Sequence, residues 1–88
     1  MSPNSEQEIA SALANYIAAE VANPPAQSPP APDFEIIAAG MVDSLGLFKL
    51  VAFIEERFRV TIAPAEILLE NFATIDAITR LIRSKHSS

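Results

Sequence analysis

The chain has no cysteine and no tryptophan, two glycines, one histidine, and six basic residues against eleven acidic ones in a length of 88. Without cysteine there is no disulfide framework and no thiolate metal site, and a reducing compartment is compatible with the composition. The single histidine, His86, stands near the C-terminal end and cannot assemble a metal centre alone. With Gly40 and Gly46 as the only glycines, a glycine-rich phosphate loop is excluded. A net charge of −5 argues against nucleic-acid binding, since a phosphate backbone requires clustered cations. That acidity favours basic partners, although solubility charge explains the total equally well. Apolar residues make up 50% of the chain, yet charge interrupts every apolar run well short of roughly 18 residues, so no bilayer-spanning segment is expected. The first residues lack the basic start and apolar stretch of a secretory signal, and the expected location is cytoplasmic.

What is present is helical periodicity. The length suits one domain over residues 1–88 with a single modest core. Ser5 and Glu8 have capping-box spacing ahead of Ile9, Leu13, Tyr16, Ile17 and Val21, whose steps of three and four define one apolar stripe. This first helix is expected to stop at Asn23, Pro24 and Pro25, because proline lacks the helix donor and disfavours helical geometry before it. Residues 23–32 hold five of the seven prolines and read as an extended internal loop. An SH3-type ligand reading of this tract lacks a nearby orienting basic residue. A domain boundary is disfavoured because an isolated first helix is marginal in water and needs a surface for its stripe. Phe34, Ile36, Ile37, Met41 and Val42 supply anchors that would pin the loop across a bundle.

A second helix is expected from Leu45 to Phe58, with Leu47, Leu50, Val51, Ile54 and Phe58 facing the core. Val60 to Ile62 reads as an extended connection, and Pro64 suits the first turn of a short helix ending at Ile67 or Leu68, interrupted by Asn71 and Phe72. Thr74 is the expected N-cap of a last helix, with Asp76 in its first turn and Ile75, Ile78, Leu81 and Ile82 on one side. Residues 84–88 are expected to form a flexible tail. The fold class is therefore all-α: a small bundle of three main helices plus one short helix, with a long proline-rich loop after helix one.

Asp43, Ser44 and Leu45 place one serine where an irregular approach gives way to the second helix. Ser44 is expected at or beside the N-cap. It has two readings there: a cap alone, or an exposed hydroxyl to which the free N–H groups and positive helix end favour a bonded phosphate. The sequence argues against a serine hydrolase, because Val42 stands where a GxSxG elbow needs glycine and His86 is the sole histidine. Beyond the core stripe, Leu45, Phe48 and Ala52 make the second helix apolar on its outer side. Either the long loop covers Phe48 or Phe53, or this side is a contact face beside Ser44. Lys49, Glu55 and Glu56 are candidate charged contacts on the same helix, with simple solvation as the alternative.

The segment from Gly40 to Phe58, GMVDSLGLFKLVAFIEERF, resembles the modification-site segment of acyl carrier proteins and related carrier domains, and the pattern continues through Val60, Ile62, Pro64 and the run from Asn71 to Ile82. The resemblance implies that Ser44 receives 4'-phosphopantetheine from coenzyme A, with Asp43 as a supporting motif residue. It further implies a non-catalytic shuttle whose arm carries a cargo as a thioester, with Leu45, Phe48, Lys49, Ala52, Glu55 and Glu56 as docking candidates. The implied partners are a magnesium-dependent phosphopantetheinyl transferase, an acyl-loading ligase or acyltransferase, and downstream acyl-processing enzymes; the expected state is a monomer. Lys49 and Arg57 depart from the most acidic members of the family, and the GMVDS approach looks more like stand-alone carriers of specialised pathways. Acyl cargo is the first reading and aminoacyl or peptidyl cargo the alternative. An unmodified helical interaction module is the rival of a different class.

Overall fold

The structure is a computed structural model that describes residues 5–22 and 27–87, with side chains through Lys85. Helix α1 (Glu6–Tyr16) begins at Ser5, whose Oγ accepts from the Glu8 N–H at 3.3 Å while its hydroxyl donates to the Glu8 carboxylate at 3.0 Å. The helix then widens into a π turn, Ile17–Val21, closed by the Ala22 N–H on the Ile17 carbonyl at 2.8 Å. Ile9, Leu13, Ile17 and Val21 are buried as the stripe requires, and the wide turn adds Ala18 and Ala22. Tyr16 is half-buried. Its ring stacks on Phe53 with centroids 4.0 Å apart, and its hydroxyl donates to the Lys49 carbonyl at 3.4 Å.

Asn23 to Ala26, the start of the proline tract, lie outside the described residues, and residues 27–32 form neither helix nor strand. The loop is tied to the bundle by backbone bonds: Asp76 N–H to the Pro32 carbonyl and Ile36 N–H to the Ala73 carbonyl, both at 3.0 Å. Of the expected anchors, Ile36 and Val42 are buried and Ile37 and Met41 half-buried, but Phe34 remains 40% exposed and anchors nothing completely.

Helix α2 (Ser44–Phe58) buries Gly46, Leu50, Ile54 and Phe58, with Leu47 and Val51 half-buried at the edge of the same face. It ends at Arg59, which adopts the left-handed conformation (φ 58°) more often taken by glycine. Ile62 is buried, and its N–H is held by Glu55 Oε2 at 2.9 Å. A single 3₁₀ turn, Pro64–Glu66, follows. The expectation that this helix reaches Ile67 or Leu68 and is broken by Asn71 and Phe72 is corrected here: a separate short helix α3 (Leu69–Phe72) includes both residues, and burial of Phe72 drives it.

Thr74 Oγ1 accepts from the Ala77 N–H at 3.1 Å and starts helix α4 (Ile75–Ser87). Ile75, Ile78 and Ile82 are fully buried, Leu81 is half-buried, and the buried Thr79 hydroxyl donates to the Ile75 carbonyl at 2.8 Å. The helix runs past the point where a flexible tail is expected, so Ser84 and Lys85 are helical; the side chain of His86 lies outside the described residues. Helix α4 packs on α1 and α3, and the π turn packs on α2. Among the described residues there is no strand, and the fold is the expected small all-α bundle.

Candidate functional site

The approach to α2 is fixed residue by residue. Gly40 adopts φ 81°, a left-handed turn geometry that only glycine takes without strain, and its N–H bonds to the Ile37 carbonyl at 3.0 Å. The Val42 N–H bonds back to Ile36 at 3.0 Å, and its side chain is buried. Asp43 is then the N-cap: its backbone is extended, its Oδ1 accepts from the Gly46 N–H at 2.8 Å, and its carbonyl accepts from Leu47. Ser44 is the first helical residue, beside the cap rather than at it. Its side chain is exposed and bonds to none of the described residues. The capping duty that the sequence could have assigned to Ser44 falls to Asp43, which leaves the serine hydroxyl uncommitted.

Gly46 is the residue that sequence reasoning passed over. A Cβ there would lie 2.7 Å from Val21 Cγ1, so the close approach of the π turn to the first turn of α2 depends on its absence. A signal was available, since glycine two places after a helix start costs about 1 kcal/mol against alanine and calls for a packing reason.

Ser44 opens onto a groove of about 380 Å³. Ile37, Val42 and Leu47 form one side with Asp43 and Ser44; Ile67, Leu68, Leu69 and Phe72 form the other. Apart from Asp43 and Ser44, every lining side chain is apolar. The second wall was not legible in the sequence, because it depends on where the chain folds back after α2.

On the outer side of α2, Leu45 is 66% and Phe48 69% exposed, and Lys49 and Ala52 are exposed with them. Among the described residues Phe48 is left uncovered, and Phe53 is half-buried by ring contacts, stacked on Tyr16 and edge-on to Phe58 at 6.2 Å. Glu56 is exposed. Glu55, a docking candidate from the sequence, is half-buried and its carboxylate is turned to the Ile62 N–H, so its position serves the fold. Among the described residues no cluster of histidine and carboxylate side chains is arranged to hold a metal, and no helix is long and apolar enough to cross a membrane.

The phosphopantetheine attachment site family matches residues 11–82, a span that contains the start of α2 and both walls of the groove. The chain belongs to this family. Its cofactor is 4'-phosphopantetheine, attached covalently. No curated protein matches the chain. The start of α2 fits the group. A phosphodiester on an exposed first-turn hydroxyl would lie at the positive end of a 15-residue helix, where free backbone N–H groups favour negative charge. Carrier proteins of this family work with a phosphopantetheinyl transferase and with acyl-processing enzymes.

Proposed function

We propose that Ser44 is the residue that bears the arm and that the chain is a non-catalytic acyl carrier. The observation that carries this reading is an exposed serine hydroxyl with no hydrogen-bond partner among the described residues, held at the first position of a capped helix and opening onto an apolar groove. Installation breaks the pyrophosphate bond of coenzyme A. The Ser44 oxygen forms the new bond to phosphorus, adenosine 3',5'-bisphosphate leaves, and the serine proton goes to a base on the transferase. When attached, the arm supplies a terminal thiol that holds cargo as a thioester.

The lining of the groove supports acyl over aminoacyl cargo. An ammonium group placed among Ile37, Leu47, Ile67 and Phe72 would lose hydration against apolar side chains, since the polar side chains of the lining are confined to Asp43 and Ser44. An alkyl chain gains about 0.8 kcal/mol per buried methylene in the same place. The exposed apolar side chains of Leu45, Phe48 and Ala52, with Lys49 and Glu56 beside them, form the surface that an enzyme acting on Ser44 would meet.

Intact-mass measurement after incubation with coenzyme A, magnesium and a broad-specificity transferase tests the assignment. One phosphopantetheinyl group is expected on the wild-type protein and none on Ser44→Ala. An unchanged wild-type mass would favour the unmodified interaction module, and labelling of the Ser44→Ala protein would move the site elsewhere.

A further inference from the structure

The groove beside Ser44 has one wall that the fold does little to hold. Between the buried Ile62 and the buried Phe72 the chain makes one 3₁₀ turn, then passes Ile67 (φ −82°, ψ 73°) and the extended Leu68, and then forms the four-residue α3. Pieces this short have no helical stability of their own. Their apolar side chains give limited help: Ile67 is half-buried, whereas Leu68 and Leu69 are 47% and 68% exposed.

Polar contacts converge on one residue in the middle of this span. Glu66 Oε1 accepts from the Ala63 N–H at 2.8 Å and from Lys85 Nζ of α4 at 2.6 Å. The Glu66 carbonyl accepts from Asn71 Nδ2 at 2.8 Å and from the Leu68 N–H at 2.9 Å. The two charged side chains are only 19% (Lys85) and 32% (Glu66) exposed, so the pair is better shielded than an ordinary surface ion pair. It joins the last turns of α4 to a wall segment nineteen positions earlier, and the carbonyl bonds pass that attachment on to Leu68 and Asn71.

We propose that Lys85 and Glu66 are positioning residues for the groove: their ion pair holds the Pro64–Phe72 wall in place beside α2 and thereby sets how far an apolar cargo on Ser44 is shielded from water. The inference rests on the acyl-carrier reading for its consequence, but its structural half stands without it.

Two measurements separate these halves. On the unmodified protein, amide exchange of Leu68 and Asn71 is compared in wild type, Lys85→Met and Lys85→Arg. Methionine keeps the apolar stem and loses the charge; arginine restores a donor. Exchange at both amides is expected to quicken about fivefold in Lys85→Met, the upper end for a partly exposed pair, and to return towards wild type in Lys85→Arg. Amides of α1 serve as the internal standard for global stability.

The second measurement uses proteins loaded with an octanoyl or an acetyl group and treated with hydroxylamine, whose nitrogen attacks the thioester carbonyl as the C–S bond breaks to release a hydroxamate and the free thiol. Octanoyl release is expected to quicken severalfold in Lys85→Met and to be rescued in Lys85→Arg, with acetyl release unchanged because two carbons bury little in the groove. Unchanged exchange in Lys85→Met would overturn the latch whatever Ser44 carries. Faster exchange with unchanged octanoyl release would overturn the shielding role. A wild-type protein that accepts no arm would overturn the carrier reading and the shielding role together, while the exchange result would still decide the latch.

Discussion

Replacing Asp43 with alanine should destabilise the protein, and replacing its neighbour Ser44 should not. The Asp43 carboxylate accepts the Gly46 N–H at 2.8 Å and lies at the start of a 15-residue helix. Loss of such a cap costs about 0.5–2 kcal/mol, and loss of the charge at the positive helix end adds about 0.3–1 kcal/mol. The two overlap in one side chain, so about 1–2 kcal/mol is a fair expectation. For a domain of this size each kcal/mol lowers the melting midpoint by about 4–8 °C. Ser44 is exposed and bonded to no described residue, and alanine is the better helix former, so Ser44→Ala should stay within about 0.5 kcal/mol of wild type. Asp43→Asn, which keeps an acceptor oxygen and removes the charge, should fall between them. Thermal unfolding followed by helical circular dichroism reads all three. A Ser44→Ala protein that melts as low as Asp43→Ala would refute the reasoning, because it would mean that the hydroxyl is engaged in holding the helix and is not free for chemistry.

The remaining expectations concern the outer face of α2 and the acid limb of stability. Phe48→Ala, at a 69% exposed position, should change stability by no more than about 0.5 kcal/mol yet slow arm installation, whereas Ile54→Ala should cost about 2–5 kcal/mol from the core. Normal modification of folded Phe48→Ala would remove that face from the docking surface. The hydrogen bond from Lys85, and after it the Ala63 N–H, hold the Glu66 carboxyl below the usual glutamate range. A depressed folded value means that its contribution is complete above the unfolded value and is lost as pH falls through the folded one, so Glu66→Gln should flatten the pH dependence of the melting midpoint in the window just below the ordinary glutamate range. Parallel curves for wild type and Glu66→Gln would show that the pair does not contribute.

Features that depend on residues three or four apart were legible in the sequence. The stripe Ile9, Leu13, Ile17 and Val21 is buried, Thr74 caps α4, and the surplus apolar side of α2 emerges exposed at Leu45 and Phe48. Local pattern decides these because a helix repeats its faces at fixed steps. It does not decide which of two adjacent capping residues takes the cap; in the structure Asp43 has the extended backbone of an N-cap and its carboxylate accepts from the Gly46 N–H, while Ser44 is already helical. Asn71 and Phe72 read as a break, yet full burial of one phenylalanine outweighs the poor local signal and makes a short helix. Glu55 read as a surface charge because nothing near it in sequence needs an acceptor. The N–H that it satisfies belongs to Ile62, after the chain has reversed.

The same distinction explains how Ser44 is held firmly while its side chain touches so little. Its cap is Asp43, and Asp43 binds Gly46; Gly46 lies against Val21 of the π turn at a separation that leaves no room for a methyl group. On the other side Val42 bonds to Ile36, and Ile36 bonds to Ala73 at the junction of α3 and α4. Through these contacts the ends of three helices fix the backbone of one exposed residue. In the role proposed for Ser44 such an arrangement is an advantage, because order already present in its backbone costs nothing at the moment of docking, while the exposed hydroxyl stays available. Changes at Val21 or Ile36 would therefore move the hydroxyl without touching it.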